Sequence, residues 1–305
     1  MNMIELLRVY QLDVSNKFRL GVPADGGYVV GVPPPNDGVG VGGGVGGGVG
    51  GGVGGGVGGG GGVGSVEPEY DCYISAGVST EESFTRDFIA RYGSVCHLSE
   101  ANCFAFDGTI QAYPVEYTDK ITFFKKNIGG GEVDSDSETN LLFVLNNYSR
   151  VFMKMDIEGG EYPWLLRMSL DDLRKIKQLV IEFHGITGDG WGCSYDNKVR
   201  CLAKLAETHY IVHAHGNNHS HVSDRIPDVI ELTCISKSCW GDGAVPGFNT
   251  TPLPVAGLDF PNMRWRGDYD LNVYPFVVGG RGRGGDVGGD AGGAGAGSLK
   301  QMAFL

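Results

Sequence analysis

The chain has 305 residues, a formal net charge of -12 and 53 glycines. That length allows one large domain or two small ones. The acidic balance argues against a general nucleic-acid binder or a binder of anionic membranes.

In chain order, residues 1–12 carry Ile4, Leu7 and Val9 among polar neighbours, the pattern of a short amphipathic helix. Asp25-Gly-Gly is a turn signal and Tyr28-Val-Val30 a strand, so a hairpin-like lead-in is expected. Residues 38–64 are mostly Gly, with Val at every fourth position from Val41 to Val57. One Val in four cannot offset the entropy lost on ordering glycine, which points to a repeat expansion in a surface loop.

Order returns at Tyr70-Asp-Cys-Tyr-Ile74, a strand ending at Ser75-Ala-Gly77. A helix is expected from Thr80, with Glu81 and Glu82 in its first turn and Phe84, Phe88 and Ile89 on one face. Cys103–Phe106 and Ile121–Phe124 read as further strands, and Leu141–Leu145 as a short helix. Val151-Phe-Met153 is a strand that ends in an acidic turn, and Pro163 to Lys177 reads as one helix. Gln178–His184 repeats the strand, with Glu182 and His184 at its end. Lys198–Thr208 has helical spacing, followed by strands at Tyr210–Ala214 and Val229–Ile235. Strands alternating with helices predict a mostly parallel seven-stranded sheet with helices on both faces. Leu253 to Val278, rich in Pro, Asn and Asp, should wrap that sheet as an irregular segment. The expected division is a lead-in over 1–36, a Gly/Val insertion over 37–65, the main domain over 66–278 and a disordered Gly-rich tail over 279–305.

Seven cysteines, none spaced as CxxC, read as reduced thiols rather than a zinc ribbon. Glu5 and Arg8 interrupt the only short apolar run at the N-terminus, and no stretch has the apolar length of a membrane span. A cytoplasmic protein is the expectation.

Three groups carry candidate chemistry. A strand ending at Gly77, then one ending at Asp107, is a nucleotide-type pattern in which Asp107 accepts from a ribose diol. A tight turn plus a solvent-facing acid explains the same spacing. Asp156, Glu158, Glu161, Glu182 and His184 form the second group. Crowded carboxylates repel unless a cation or proton relieves them, and His184 offers a base. Glu161, just before Pro163, also fits an acid stabilised at a helix N-terminus. The third group is His213, His215, His219 and His221, which invites a metal reading although no cysteine or carboxylate stands at zinc-finger spacing.

Phe152-Met-Lys-Met-Asp-Ile-Glu-Gly-Gly-Glu161, followed by Gln178-Leu-Val-Ile-Glu-Phe-His184, resembles the FkbM-like and related methyltransferase-domain proteins. These carry a K-x-D-x-E-G-x-E stretch and then an E-F/I-H strand end. Asp25–Tyr28, Gly77–Phe84, Phe106–Thr109, Ile121–Gly130, His213–Asn218, Gly257–Asn262 and Asp270–Asn272 follow the family's order of motifs, so the likeness spans most of 17–31 and 70–278. Ser79 and Thr80 stand where that family more often has glycine.

The resemblance implies a Rossmann-like class I methyltransferase fold that binds S-adenosylmethionine and methylates an oxygen of a small molecule or sugar. Carried over by position, Gly77, Ser79 and Glu81 would meet the methionine end of the cofactor, Asp107 the ribose and Asn127 the adenine edge. Asp156 and Glu158 would line the pocket under the sulfonium, and His184 or Asp156 would act as base. No dedicated metal site is assigned, although a divalent ion on Asp156, Glu158 and His184 stays open. The alternatives are a non-catalytic binding or scaffold protein on the same fold, or a metal-binding module built on the 213–221 histidines.

Overall fold

The computed structural model describes residues 2–33, 69–241 and 244–279. The Gly/Val insertion and all but the first residue of the Gly-rich tail therefore lie outside the described residues.

The chain opens with a one-turn helix, α1 (Met3–Leu6), capped by the Asn2 side chain, which accepts from Glu5 N. The antiparallel strands β1 (Lys17–Leu20) and β2 (Tyr28–Gly31) then form the expected hairpin. Next come β3 (Cys72–Ala76), α2 (Ser83–Tyr92), β4 (Cys103–Phe106) and β5 (Thr122–Phe124). A short ribbon, β6 (Asn127–Ile128) with β7 (Glu138–Thr139), leads to α3 (Leu142–Leu145) and β8 (Val151–Met155). Then follow α4 (Glu161–Arg167), α5 (Leu170–Lys175), β9 (Ile176–His184), α6 (Tyr195–Thr208) and β10 (His209–Gly216). A second ribbon, β11 (Val222–Ser223) with β12 (Ile226–Pro227), precedes β13 (Val229–Ser236). Residues 253–278 contain no helix or strand, as their composition predicts.

Two departures from the expected helices have a clear local cause, while α6 simply starts earlier, at Tyr195. The helix expected from Pro163 to Lys177 is two helices, because Met168 is extended and the Ser169 side chain accepts from Asp172 N to cap α5. A serine cap competes with a continuous helix by taking a backbone donor of its own. The helix expected from Thr80 starts at Ser83, so Glu81 and Glu82 precede it. Glu82 is buried and accepts from Ser75 Oγ at 3.0 Å and Tyr113 Oη at 3.1 Å instead of facing water.

Seven strands form one sheet in the order β10-β13-β9-β8-β3-β4-β5. The five strands from β5 to β9 are parallel, and β13 is antiparallel to both its neighbours. After β3 the chain builds outward through β4 and β5, then crosses back to lay β8 and β9 on the other side of β3. The β3/β8 boundary is thus a topological switch point, where open α/β sheets leave a crevice at the carboxyl ends of the strands.

The strands alternate between two apolar layers, as the period of two requires. Ile74, Met153 and Ile181 face a core shared with α3, α4, α5 and α6. Tyr73, Phe152 and Val180 face the opposite core, which holds Phe84, Phe88 and Tyr92 of α2 with Tyr28 and Val30 of the hairpin. Helices therefore flank both faces unequally: α2 and the hairpin share one face, while α3 to α6 cover the other together with the irregular segment from Leu253 to Val277.

Candidate active site

The carboxyl ends of β3 and β8 touch directly. Gly77 has φ +79°, and a Cβ built on it would lie 1.6 Å from the carbonyl oxygen of Asp156. Asp156 N donates to Ala76 O at 2.9 Å, and Gly77 N to Phe106 O at 2.9 Å. Lys154, buried on β8, donates to the Gly77 carbonyl at 2.6 Å. Glycine is needed at Gly77 because neighbouring backbone fills the space.

Asp107, at the end of β4, is held by its own chain. Its Oδ2 accepts from Val78 N at 3.0 Å and Ser79 N at 2.8 Å. Its Oδ1 accepts from Thr109 N at 2.7 Å and Thr109 Oγ1 at 2.5 Å. Burial works against ionisation, but these hydrogen bonds outweigh it and hold the carboxyl below the usual carboxylate range. Four donors fill its lone pairs. Asn127 lies beside this turn, since a Cβ on Gly108 would come within 2.3 Å of its Oδ1. Glu81 turns away, accepting from Ser83 N at 2.7 Å and lying against Gly26 of the hairpin.

Across the β3/β8 contact lies the acidic group. Glu158 has φ +54° and Gly159 φ +96°, and this reversal brings the Glu158 side chain toward the end of β9. His184 Nε2 is 3.4 Å from Glu158 Oε2 and 3.9 Å from Asp156 Oδ1. On the other side of the ring, Nδ1 donates to Glu161 Oε1 at 3.0 Å. The Trp191 ring lies 5.0 Å from the imidazole. Burial disfavours the imidazolium, yet the hydrogen bond and charge of Glu161, with Asp156 and Glu158, outweigh it and raise the His184 pKa. Glu158 is also raised, by desolvation of its crowded carboxylate end although the side chain as a whole is exposed, and by Asp156 and Glu161, against the pull of His184.

Tyr28 joins the hairpin to this group. Its hydroxyl lies 3.0 Å from Asp156 Oδ2 and 3.3 Å from Glu182 Oε2. Burial, then the charges of Asp156 and Glu231, push Glu182 well above the usual carboxylate range. The Tyr28 hydroxyl thus stands within donating distance of both carboxylates. Asn217 Nδ2 donates to the other Glu182 oxygen at 2.7 Å.

The structure thus gathers Gly77, Ser79, Asp107 and Asn127 on the β3–β5 side and Asp156, Glu158 and His184 on the β8–β9 side. Glu161 starts α4, as expected of a helix N-terminal acid, but its carboxylate is fully buried against His184. Tyr28, Lys154, Trp191 and Asn217 were not singled out from sequence. Lys154 was the most legible of them, because period-two alternation puts it on the face of β8 that Asp156 continues.

The histidine cluster does not converge. His213 Nε2 lies 2.8 Å from Asp259 Oδ1. His215 lies 3.0 Å from Glu231 through Nδ1 and 3.0 Å from Asp268 through Nε2. His219 and His221 are exposed. The two buried histidines clasp residues 259–268 onto the sheet. Among the described residues, the groups of three or more potential metal ligands are Asp156–Glu158–His184 and Asp25–Glu182–Glu231, and neither includes a residue of 213–221.

All seven cysteines are free thiols. Among the described residues no helix is long and apolar enough to cross a membrane. Comparison of the chain with known families, curated proteins and solved structures finds no match.

Proposed function

We propose that this chain is an S-adenosylmethionine-dependent methyltransferase acting on an oxygen of a small molecule or sugar. The observation that carries the reading is the placement of Asp156, Glu158 and His184 at the carboxyl ends of β8 and β9, beside the switch point with β3. That is where an open α/β sheet binds its ligand. The acidic charge there complements a cationic donor.

Asp156 and Glu158 fit a sulfonium, since Asp156 Oδ1 and both Glu158 oxygens accept no hydrogen bond from the described residues. Asp107 fits a ribose diol once the Thr109 hydroxyl rotates off Oδ1, which leaves Thr109 N in place. Gly77, Ser79 and Asn127 would complete the cofactor side.

When bound, the cofactor supplies an electrophilic methyl group. The chain's residues do the rest. Glu161 fixes the imidazole through Nδ1, so His184 Nε2 is turned toward the crevice as a proton acceptor for a hydroxyl brought there. The Tyr28 hydroxyl holds Asp156 from behind through Oδ2 and leaves its Oδ1 forward. Lys154 holds the Gly77 turn against β8.

Calorimetric titration with S-adenosylmethionine and its demethylated product tests the reading. Micromolar binding of both, weakened tenfold or more in Asp156→Ala, is expected. No binding at millimolar ligand overturns it. A second reading, a binding or scaffold protein on the same sheet without turnover, is favoured by one observation: Asp107 already has four donors of its own chain.

A further inference from the structure

We propose that Asp156, Glu158 and His184 bind one divalent first-row metal ion, with Glu161 orienting His184 from behind. Their ligand atoms all lie within 4.8 Å of one another. Two ligands about 2.1 Å from a shared ion, at tetrahedral or octahedral angles, stand about 3.0–3.4 Å apart. The gap of 3.4 Å between His184 Nε2 and Glu158 Oε2 already matches, and the 3.9 Å gap to Asp156 closes with a small side-chain movement.

The hydrogen bonding points the same way. With Nδ1–H committed to Glu161, the neutral ring presents its lone pair at Nε2. It faces Asp156 Oδ1 and Glu158 Oε2, and no donor of the described residues is hydrogen-bonded to either oxygen. Tyr28 serves the other oxygen of Asp156. Three acceptors aimed at one another repel until a proton or a metal ion stands between them.

Glu161 is an independent observation. It is 0% exposed, and its Oε2 is buried without a hydrogen-bond partner. A buried carboxylate with a bare oxygen needs positive charge close by. A cation on the far nitrogen of His184 supplies it through the ring, in the carboxylate–histidine–metal arrangement common at metal sites.

One imidazole and two carboxylates suit manganese or zinc better than calcium, which prefers six to eight oxygens. The Glu158 side chain is 72% exposed and that of Asp156 24%, so coordination positions remain open toward the crevice. The other acidic group makes a weaker case because its members already have donors. Tyr28 and Asn217 serve Glu182, while His215 and Asn262 serve Glu231. What the ion does in catalysis rests on the function proposed above: with His184 Nε2 engaged as a ligand, the ion would lower the pKa of the acceptor hydroxyl, whose proton would leave to solvent at the exposed side of the crevice. Its binding does not depend on that reading.

The test uses the full chain, stripped with a chelator and titrated with Mn²⁺ by paramagnetic resonance and with Zn²⁺ by competition against a colorimetric chelator. One equivalent per chain is expected, with quenching of Trp191 fluorescence by Mn²⁺. Binding should weaken at least tenfold in Glu158→Gln, whose exposed side chain leaves the fold intact, and in His184→Ala. Glu161→Gln, which alters no ligand, should weaken it about 10–100-fold. The double variant His219→Ala/His221→Ala should bind as the parent does. The inference is overturned by no saturable binding at millimolar metal, or by binding that survives Glu158→Gln and His184→Ala. Parallel titration of the stripped protein with S-adenosylmethionine separates the two claims. Cofactor binding without metal binding removes the ion alone, and metal binding without cofactor binding removes the methyltransferase reading alone.

Discussion

Gly77 and Asp156 are in backbone contact across the β3/β8 boundary, where a Cβ on Gly77 would lie 1.6 Å from the Asp156 carbonyl oxygen. The two halves of the candidate site are therefore set relative to each other by one glycine. Gly77→Ala incurs both the left-handed backbone at φ +79° and the clash. The two costs together are roughly 2–6 kcal/mol. A drop of that size in urea-unfolding stability is expected, and an unchanged midpoint would show that the strand ends part freely.

Asp107 and Thr109 give opposite expectations. Asp107→Ala strips the acceptor from Val78 N and Ser79 N and costs about 2–3 kcal/mol of stability. It should also abolish cofactor binding. Thr109→Ala removes one donor from Oδ1 and leaves the backbone bond. Its affinity for S-adenosylmethionine should equal or exceed the parent's. If Thr109→Ala loses binding as Asp107→Ala does, the carboxylate serves only the turn.

His209 sets an acid limit on the fold. It is buried, with Nδ1 beside Thr208 Oγ1 and Nε2 donating to Ile176 O. Burial lowers its pKa from 6.5 to about 4. Between those values the unfolded chain binds more protons, so stability rises with pH there and is lost as pH falls from 6.5 toward 4. The full effect is about 3 kcal/mol. His209→Gln should flatten the slope of urea midpoint against pH in that window.

His215 has the opposite sign. Burial opposes its charge, but Glu231 and Asp268 outweigh burial and raise its pKa well above 6.5. Its stabilising contribution is complete below the unfolded pKa and is lost as pH rises through the folded one. Proteolysis within 253–279 should quicken at alkaline pH in the parent. In Asp268→Asn the same acceleration should begin at lower pH.

Thiol labelling checks the packing of both faces. Cys193 and Cys239 are part exposed, and the other five cysteines are buried. Burial pushes Cys103 and Cys201 up to about 12. Two fast thiols and five that wait for unfolding are expected; a third fast thiol would mean that one apolar face opens without global unfolding.

The sequence by itself determined the seven strands of the main sheet and most of the helices, but not the two short ribbons. Cys103–Phe106 was bounded to the residue, and β8 and β9 were read at their acidic ends, because local apolar periodicity is a property of adjacent residues. The break at Met168–Ser169 was missed because a serine cap is a local competitor that an apolar count does not weigh. Tertiary structure alone decided which acids meet. Glu161 reads as a helix N-terminal acid until α4 folds back on β9 and buries it against His184. Tyr28 reads as a hairpin residue until it reaches Asp156, 128 positions away. His213 and His215 share a strand face that would suit a metal, and only the return of residues 259–268 shows what occupies them. Each pairing depends on distant segments brought together by burial of apolar surface, and no spacing along the chain encodes it.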